Sequence, residues 1–312
     1  VQRLNDNVSL DLADACEFPP VRLPVEQFCV RQVTAIYSHG QYWLYVDVVP
    51  WDHRYWPDTY DTTIHAYSSD DCRRWNYHGE ILAKGDEGEW DAGGVATPGA
   101  VVLDGRTYLF YAGRHRPGPD CIRQIGLAVA DQPQGPFVKM RRPIVIADHP
   151  ENHLDDPVPI VSASGRGIDL YYRHAEHHLD PPPYSIRLTT SDHLVNTWTE
   201  PIVVLQSDDK VRAYETAEAI RINGQVLLAT FDHFHHGHPK TALRWSSDGT
   251  HFVACDDLYL DDHLCAGWQR PSCMLQFALI PDADGVPRHM GICRPIDDAG
   301  HYNMQIHSIR MS

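Results

Sequence analysis

Two carboxyl groups in different segments stand at the same depth relative to a turn glycine. Asp156 in HLDDPVPI lies nine residues before Gly165, and Glu215 in YETAEAI lies nine before Gly224. Two acids facing one pocket are what hydrolysis of a glycosidic bond requires. One stays protonated and protonates the leaving oxygen, while a carboxylate activates water or attacks carbon. Burial or a neighbouring anion keeps such an acid protonated near neutrality. The same count back from Gly40 and Gly105 reaches Arg31 and Ala96, followed by Gln32 and Thr97. The segment WQRPS, before a longer turn, carries Arg270 at the comparable place. Asp156 and Glu215 are the catalytic candidates, and Arg31, Gln32, Thr97, Asp155 and Arg270 are expected to contact substrate. Glu218, three residues past Glu215, reads more simply as a strand-end hydrogen-bonding group.

Other residues extend this set. Asp91 in WDAGGVATPG precedes a glycine pair that permits close backbone approach. It is expected at the pocket rim as a base or a sugar-hydroxyl acceptor, although a turn aspartate fits the spacing equally well. Histidine is abundant, with 20 copies. His174, His177 and His178 follow one hairpin, and His233, His235, His236 and His238 follow another. Alternate residues of a strand share a face, so the second group splits between two faces and makes a poor metal site. His174, His233 and His236 are expected to face substrate instead. Sugar pockets also use aromatic faces and cationic donors. VPWDHRYWPDTY offers Trp51 and Trp56 with His53, Arg54 and Tyr55, and GRHRPG offers Arg114, His115 and Arg116. Such local cations in an acidic chain suit an anionic or heavily hydroxylated sugar.

A repeat must position these residues. Turn glycines recur at 40, 105, 165, 224 and 285, with intervals of 65, 60, 59 and 61 residues. A second series of turns begins at Asp70, Asp131, Asp192 and Asp248, each followed by an aromatic: Trp75, Phe137, Trp198 or Phe252. Two unrelated markers in step describe a repeated unit of about four short strands. Such units around an axis make a β-propeller; a β-sandwich has no need of matched markers. The expected fold is all-β, a five-bladed β-propeller with four-stranded blades around a central channel. It spans residues 26–312, with residues 1–25 as an extension laid over the first blade.

Composition sets the outer bounds. The chain has 312 residues and a formal charge of −16, which repels a phosphate backbone and argues against nucleic acid. No apolar run is long enough to span a bilayer. The 8 cysteines form no CxxC pair and read as buried thiols. The opening VQRLNDNVSLDLADA has no apolar signal core, which leaves the compartment open.

The ordered set WDAGGVATPGAVVLDGRTYLFY, HLDDPVPIV, YETAEAIRINGQ and WQRPS resembles the five-bladed propeller glycoside hydrolases of families 43 and 117 over roughly residues 26–312. The resemblance implies release of a terminal sugar with inversion. It gives Asp156 the role of the aspartate that tunes the acid's pKa, and Glu215 that of the general acid. It also implies an Asp base eight residues before the first hairpin glycine, where this chain has Gln32. An amide cannot take a proton from water. Asp91, Asp47, Asp58 or Asp61 must then supply the base, or the reaction is not ordinary hydrolysis. Family 117 adds a histidine acid, for which His233 and His236 are available, and family 43 a calcium or other ion on the axis.

The resulting expectation is an exo-acting hydrolase of a plant or algal oligosaccharide, monomeric or homodimeric, with no required cofactor. Two alternatives remain. One is a lyase cleaving beside a uronate, with Arg neutralising the carboxylate and His or Tyr abstracting the proton. The other is a non-catalytic sugar-binding propeller, whose lining residues would repeat from blade to blade; here they differ.

Overall fold

The computed structural model describes residues 2–5, 8–11, 28–50, 61–117, 121–191, 197–236, 240–259, 276–295, 302–308 and 310–311, with side chains for 32–48, 61–117, 121–191, 197–236, 240–255 and 278–289. Every regular element among them is a β-strand. Two short strands, β1 (Gln2–Asn5) and β2 (Val8–Asp11), come first. Four four-stranded antiparallel meanders follow. The first is β3 (Phe28–Ser38), β4 (Gln41–Pro50), β5 (Thr63–Ser69) and β6 (Asn76–Leu82). The second is β7 (Gly94–Leu103), β8 (Arg106–Arg114), β9 (Arg123–Ala130) and β10 (Val138–Lys139). The third is β11 (His153–Val161), β12 (Ile168–Ala175), β13 (Tyr184–Ser191) and β14 (Ile202–Gln206). The fourth is β15 (Val211–Ile222), β16 (Gln225–Phe234), β17 (Lys240–Ser246) and β18 (Val253–Tyr259). A three-stranded unit, β19 (Gln276–Pro281), β20 (Pro287–Pro295) and β21 (Tyr302–Ser308), closes the series before β22 (Arg310–Met311).

The turn chemistry explains the repeat. Between β3 and β4, β7 and β8, and β15 and β16 only two residues intervene: His39-Gly40, Asp104-Gly105 and Asn223-Gly224. All six have positive φ, from 51° to 80°. That is the tight hairpin turn whose twist matches the strands, and it selects Asn, Asp or His followed by Gly.

Burial grades outward through each meander. In β8, every residue after Arg106 is buried, since both faces of the strand are covered, whereas β6 and β14 are largely solvent-facing. Apolar layers fill the spaces between successive meanders. Tyr45 and Ile64 pack with Val95 and Leu109, Phe110 and Leu127 with Leu154 and Leu170, and Ile160 and Ile186 with Tyr214 and Leu228. Val33, Leu44 and Val46 of the first meander pack with Ala278 and Ile280 of the last unit. The first strands also touch in cyclic order: β3 with β7, β7 with β11, β11 with β15, β15 with β19, and β19 with β3. At Gly99 on β7, an added β-carbon would collide with the Pro157 carbonyl of β11, so this contact requires glycine.

Two expectations meet the structure here. Cys72, Cys121 and Cys255 are buried free thiols, as the sequence suggested for the cysteines. Of the opening segment, expected as an extension over the first blade, only two short strands are described. β2 pairs with β22 through Leu10–Met311 and Asp11–Arg310, and β1 lies against β17 and β18. The terminal strand satisfies the backbone groups of β2.

Glu218 is buried between β15 and β19, where its Oε1 accepts the Ala219 N–H at 3.0 Å. Burial raises its pKa from 4.5 to about 8, against the pull of that N–H and the Leu279 N–H. The native state therefore holds a proton that the unfolded chain releases. This contribution is full below about pH 4.5 and is lost as the pH rises towards 8, at up to about 1.4 kcal/mol per pH unit. Glu218→Gln is expected to unfold at higher denaturant than the parent at pH 8, and to match it more closely near pH 5.

Candidate active site

A bulge recurs in the first strand of each four-stranded meander. Pairing slips between Val30 and Val33, Ala96 and Gly99, Asp155 and Val158, and Thr216 and Glu218. A bulge re-aims side chains at a fixed depth, which is why residues counted back from the hairpin glycines converge. In two bulges the backbone is left-handed, at Thr97 (φ 48°) and Asp156 (φ 52°). This is costly for a β-branched residue and persists only where surrounding contacts impose it.

Those contacts are present. The Thr97 hydroxyl donates to Asp155 Oδ1 at 3.0 Å and accepts the Asp156 N–H at 3.3 Å. The Thr97 N–H donates to Asp47 Oδ2 at 3.2 Å, and Asp47 Oδ1 accepts the Gln32 N–H at 2.6 Å. The Gln32 side-chain amide donates to Asp156 Oδ1 at 2.8 Å, and the Thr216 hydroxyl to the Asp156 carbonyl at 2.8 Å. Four meanders are thus tied together around Asp155 and Asp156.

The charges follow the same centre. The Arg173 guanidinium touches three carboxyls. Its Nη1 donates to Glu215 Oε1 at 2.6 Å, Nη2 lies 3.4 Å from Asp155 Oδ2, and Nε lies 3.7 Å from Asp156 Oδ2. Arg123 also donates to Asp155 Oδ2. His233 Nε2 stands 3.5 Å from Glu215 Oε1, and the Tyr184 ring lies 5.9 Å from the Arg173 guanidinium.

These surroundings push the acids apart. Burial disfavours ionisation of Asp155, but Arg123, Arg173 and Arg114 outweigh it and hold this carboxyl below the usual range. Asp156 is pushed up to about 8, first by burial and then by the Asp155 charge. Burial also acts on Glu215, yet Arg173 and His233 prevail and keep it below its usual value. These opposed surroundings favour the proton on Asp156 and the carboxylate form of Glu215.

Of the residues singled out in the sequence, Asp156, Glu215, Asp155, Gln32 and Thr97 come together, with His233 at the edge. Asp155 and Thr97 were expected to touch substrate. In the structure Asp155 is buried, its oxygens accepting from Thr97, Arg123, Arg173 and the Asp156 N–H, and the Thr97 hydroxyl bonds within the cluster. Asp91 does not join them. It lies in the turn before β7, and its Oδ2 meets Lys139 of the outer strand β10 at 2.7 Å and the Tyr111 hydroxyl at 3.1 Å. Asp47 accepts backbone N–H groups on both oxygens, and Asp61 pairs with Lys84 at the surface. His174 is buried against Asp148 at 3.2 Å, away from the cluster, and His236 is exposed after β16. Arg31 lies on β3 with its side chain outside the described residues, and Trp51, Trp56, Asp58 and Arg270 lie outside them altogether.

Sequence reasoning missed Arg173 and Arg123. The signal for Arg173 was available: pairing counted across the β11–β12 hairpin sets it opposite Asp155. Arg123 pairs with Arg114 across β8–β9, and no local motif marks it. Among the described residues no three His, Cys, Asp or Glu side chains are grouped to hold a metal ion.

Comparison with known proteins agrees with this architecture. A family 117 glycoside hydrolase of the marine bacterium Zobellia galactanivorans superposes with a TM-score of 0.70 at 18% identity, covering 97% of this chain and 90% of that one. A thermostable family-43 glycoside hydrolase superposes at 0.63 with 13% identity, covering 92% and 91%. Xylosidase/arabinosidase 43A of Humicola insolens is 37% identical over 67 residues, 22% of this chain and only 19% of that protein. No family model matches the sequence. The chain is all-β with the propeller fold of the family-43 and family-117 glycoside hydrolases.

The Thr97 hydroxyl yields a direct test. Thr97→Val removes one of the two donors to Asp155 Oδ1 and one of the two acceptors of the Asp156 N–H, while Thr97→Ser keeps the hydroxyl. Denaturant unfolding is expected to rank Val below Ser by roughly 1–3 kcal/mol.

Proposed function

We propose that this chain is a glycoside hydrolase that releases a terminal sugar from a plant or algal oligosaccharide by inversion. Its five meanders act as the blades of a propeller whose first strands line the substrate channel. One observation carries the reading. Acids from two meanders, Asp156 and Glu215, lie on one guanidinium with their pKa values pushed in opposite directions, in a fold shared with glycoside hydrolases.

Glu215, 13% exposed against 5% for Asp156, is the acid that meets the leaving oxygen, and Asp156 is the buried group that governs its proton. Gln32 occupies the place of the family's base and serves as a hydrogen-bond donor to Asp156. Asp47, Asp61 and Asp91 are engaged by other partners, and Asp58, the remaining candidate base of the sequence, lies outside the described residues.

Hydrolysis adds one water to the products. Mass analysis of a panel of plant and algal oligosaccharides is expected to find water-added products with the parent. Glu215→Gln should lower kcat by about 100- to 10,000-fold, the usual worth of a positioned acid. Because the acid must be protonated, kcat/KM should fall as pH rises through about 8, and Asp156→Asn should move that fall to lower pH.

One contact favours a second reading. His233 Nε2 stands 3.5 Å from Glu215 Oε1 without a hydrogen-bond partner among the described residues, which supports His233 as the base of a lyase. An unsaturated, ultraviolet-absorbing product would replace the hydrolase with the lyase. Binding without turnover of any sugar would leave a sugar-binding propeller.

A further inference from the structure

If Glu215 is the acid, the resting site has its proton on the wrong carboxyl. Arg173 Nη1 is paired with the Glu215 carboxylate at 2.6 Å while Asp156 Oδ2 stands 3.7 Å from Nε, so the resting contacts favour the proton on Asp156. The structure contains the means of exchange. Arg173 Nε and Asp156 Oδ2 are both buried, and neither has a hydrogen-bond partner among the described residues. They face each other across 3.7 Å, too long for a hydrogen bond and short enough to close to one with a small side-chain shift. While Asp156 is protonated on Oδ2, that oxygen faces the buried Nε–H as a hydroxyl; it becomes a full acceptor only when the proton leaves, so the Nε–Asp156 bond forms with the exchange.

Resting on the hydrolase reading, we propose that Arg173 is a switching partner: its Nη1 holds Glu215 as a carboxylate at rest, and its Nε takes up Asp156 as the proton of the pair passes to Glu215. Asp156 loses one proton and Glu215 gains it. The pair carries one negative charge before and after, and no outside proton or co-reactant is needed. Arg173 stays charged throughout, because Glu215, Asp156 and Asp155 together outweigh its burial. Substrate that displaces water from the Glu215 carboxylate favours the neutral form of Glu215, which drives the exchange. The Nε–Asp156 bond is then made only once the acid is armed, so its free energy is available to catalysis rather than to the resting state.

The groups facing the pair bear on this. Asp155 on β11 opposes ionisation of Asp156, and Arg123 on β9 and Arg114 on β8 act on Asp155. Gln32 on β3 donates to Asp156 Oδ1, which leaves Oδ2 as the oxygen that carries the proton. Thr97 on β7 and Thr216 on β15 bind the backbone of Asp156. His233 on β16 supports the anionic form of Glu215, and Asp47 on β4 ties down the Gln32 and Thr97 N–H groups. Arg173 touches all three carboxyls of the cluster. It is a positioning residue and need not meet substrate.

The test uses the full chain and two readouts. The first is the Arg173 Nε–H resonance, followed by nitrogen-15 NMR from about pH 5 to 10 without any ligand. Ionising Asp156 with base imitates loss of its proton, so the resonance should move with a midpoint near 8, and should not do so in Asp156→Asn. The second is kinetics of Arg173→Lys, which keeps the charge and loses Nε, on whichever oligosaccharide the parent cleaves. We expect kcat to fall about 100-fold, the usual cost of one donor aimed at developing charge, with KM changed less than about threefold. A resonance that stays flat in the parent, or that still moves in Asp156→Asn, overturns the switch even if hydrolysis is observed. An Arg173→Lys enzyme with parental kcat overturns it as well. Should Arg173→Lys fail to fold, the NMR comparison decides alone. Absence of any hydrolytic product from the parent refutes the hydrolase reading separately, since the resonance needs no substrate.

Discussion

The contact of one guanidinium with three carboxyls governs this site. Asp155, Asp156 and Glu215 are all buried or nearly so, and three ionised acids at such spacing would repel one another without a compensating cation. Arg173 supplies that charge and Arg123 reinforces it on Asp155. The compensation is unequal, which is where the chemistry arises. Asp155 is held by two arginines and Glu215 by one with a histidine. Asp156 receives the most distant edge of Arg173 and an uncharged amide from Gln32. The proton therefore settles on Asp156.

The fold supports this by geometry more than by any single strong bond. Tight hairpins fix the register of the first strands, and the recurring bulge brings their side chains to one depth. Apolar layers between meanders then hold these strands in place from outside. Thr97 shows the consequence. Its strained backbone is tolerated because its hydroxyl and N–H join three strands at the centre of the site.

The sequence disclosed what repeats. Turn glycines and their partners revealed the meanders, and counting back from them found Gln32, Thr97, Asp156 and Glu215 together. It failed where a residue acts across a hairpin or between meanders. Arg173 was hidden because strand pairing, not adjacency, sets it opposite Asp155. For Asp91 the glycine pair fitted a pocket rim and a turn equally well, and the turn before β7 brings its carboxylate to Lys139 on an outer strand. For Asp155, spacing reports depth and says nothing of how many partners the carboxylate has inside the cluster. The strands of the opening segment could not be assigned without the pairing of β2 with β22, which lies at the far end of the chain.

The central claim is that Asp156 and Glu215 divide one proton unequally at rest. Carbon-13 NMR of the carboxyl groups, titrated from about pH 3 to 10 and assigned with Asp156→Asn and Glu215→Gln, measures this directly. Titration of Asp156 near 8, with Glu215 already ionised below its usual range, is the predicted result. Two carboxyls titrating together at ordinary values, or Glu215 titrating above Asp156, would contradict the account.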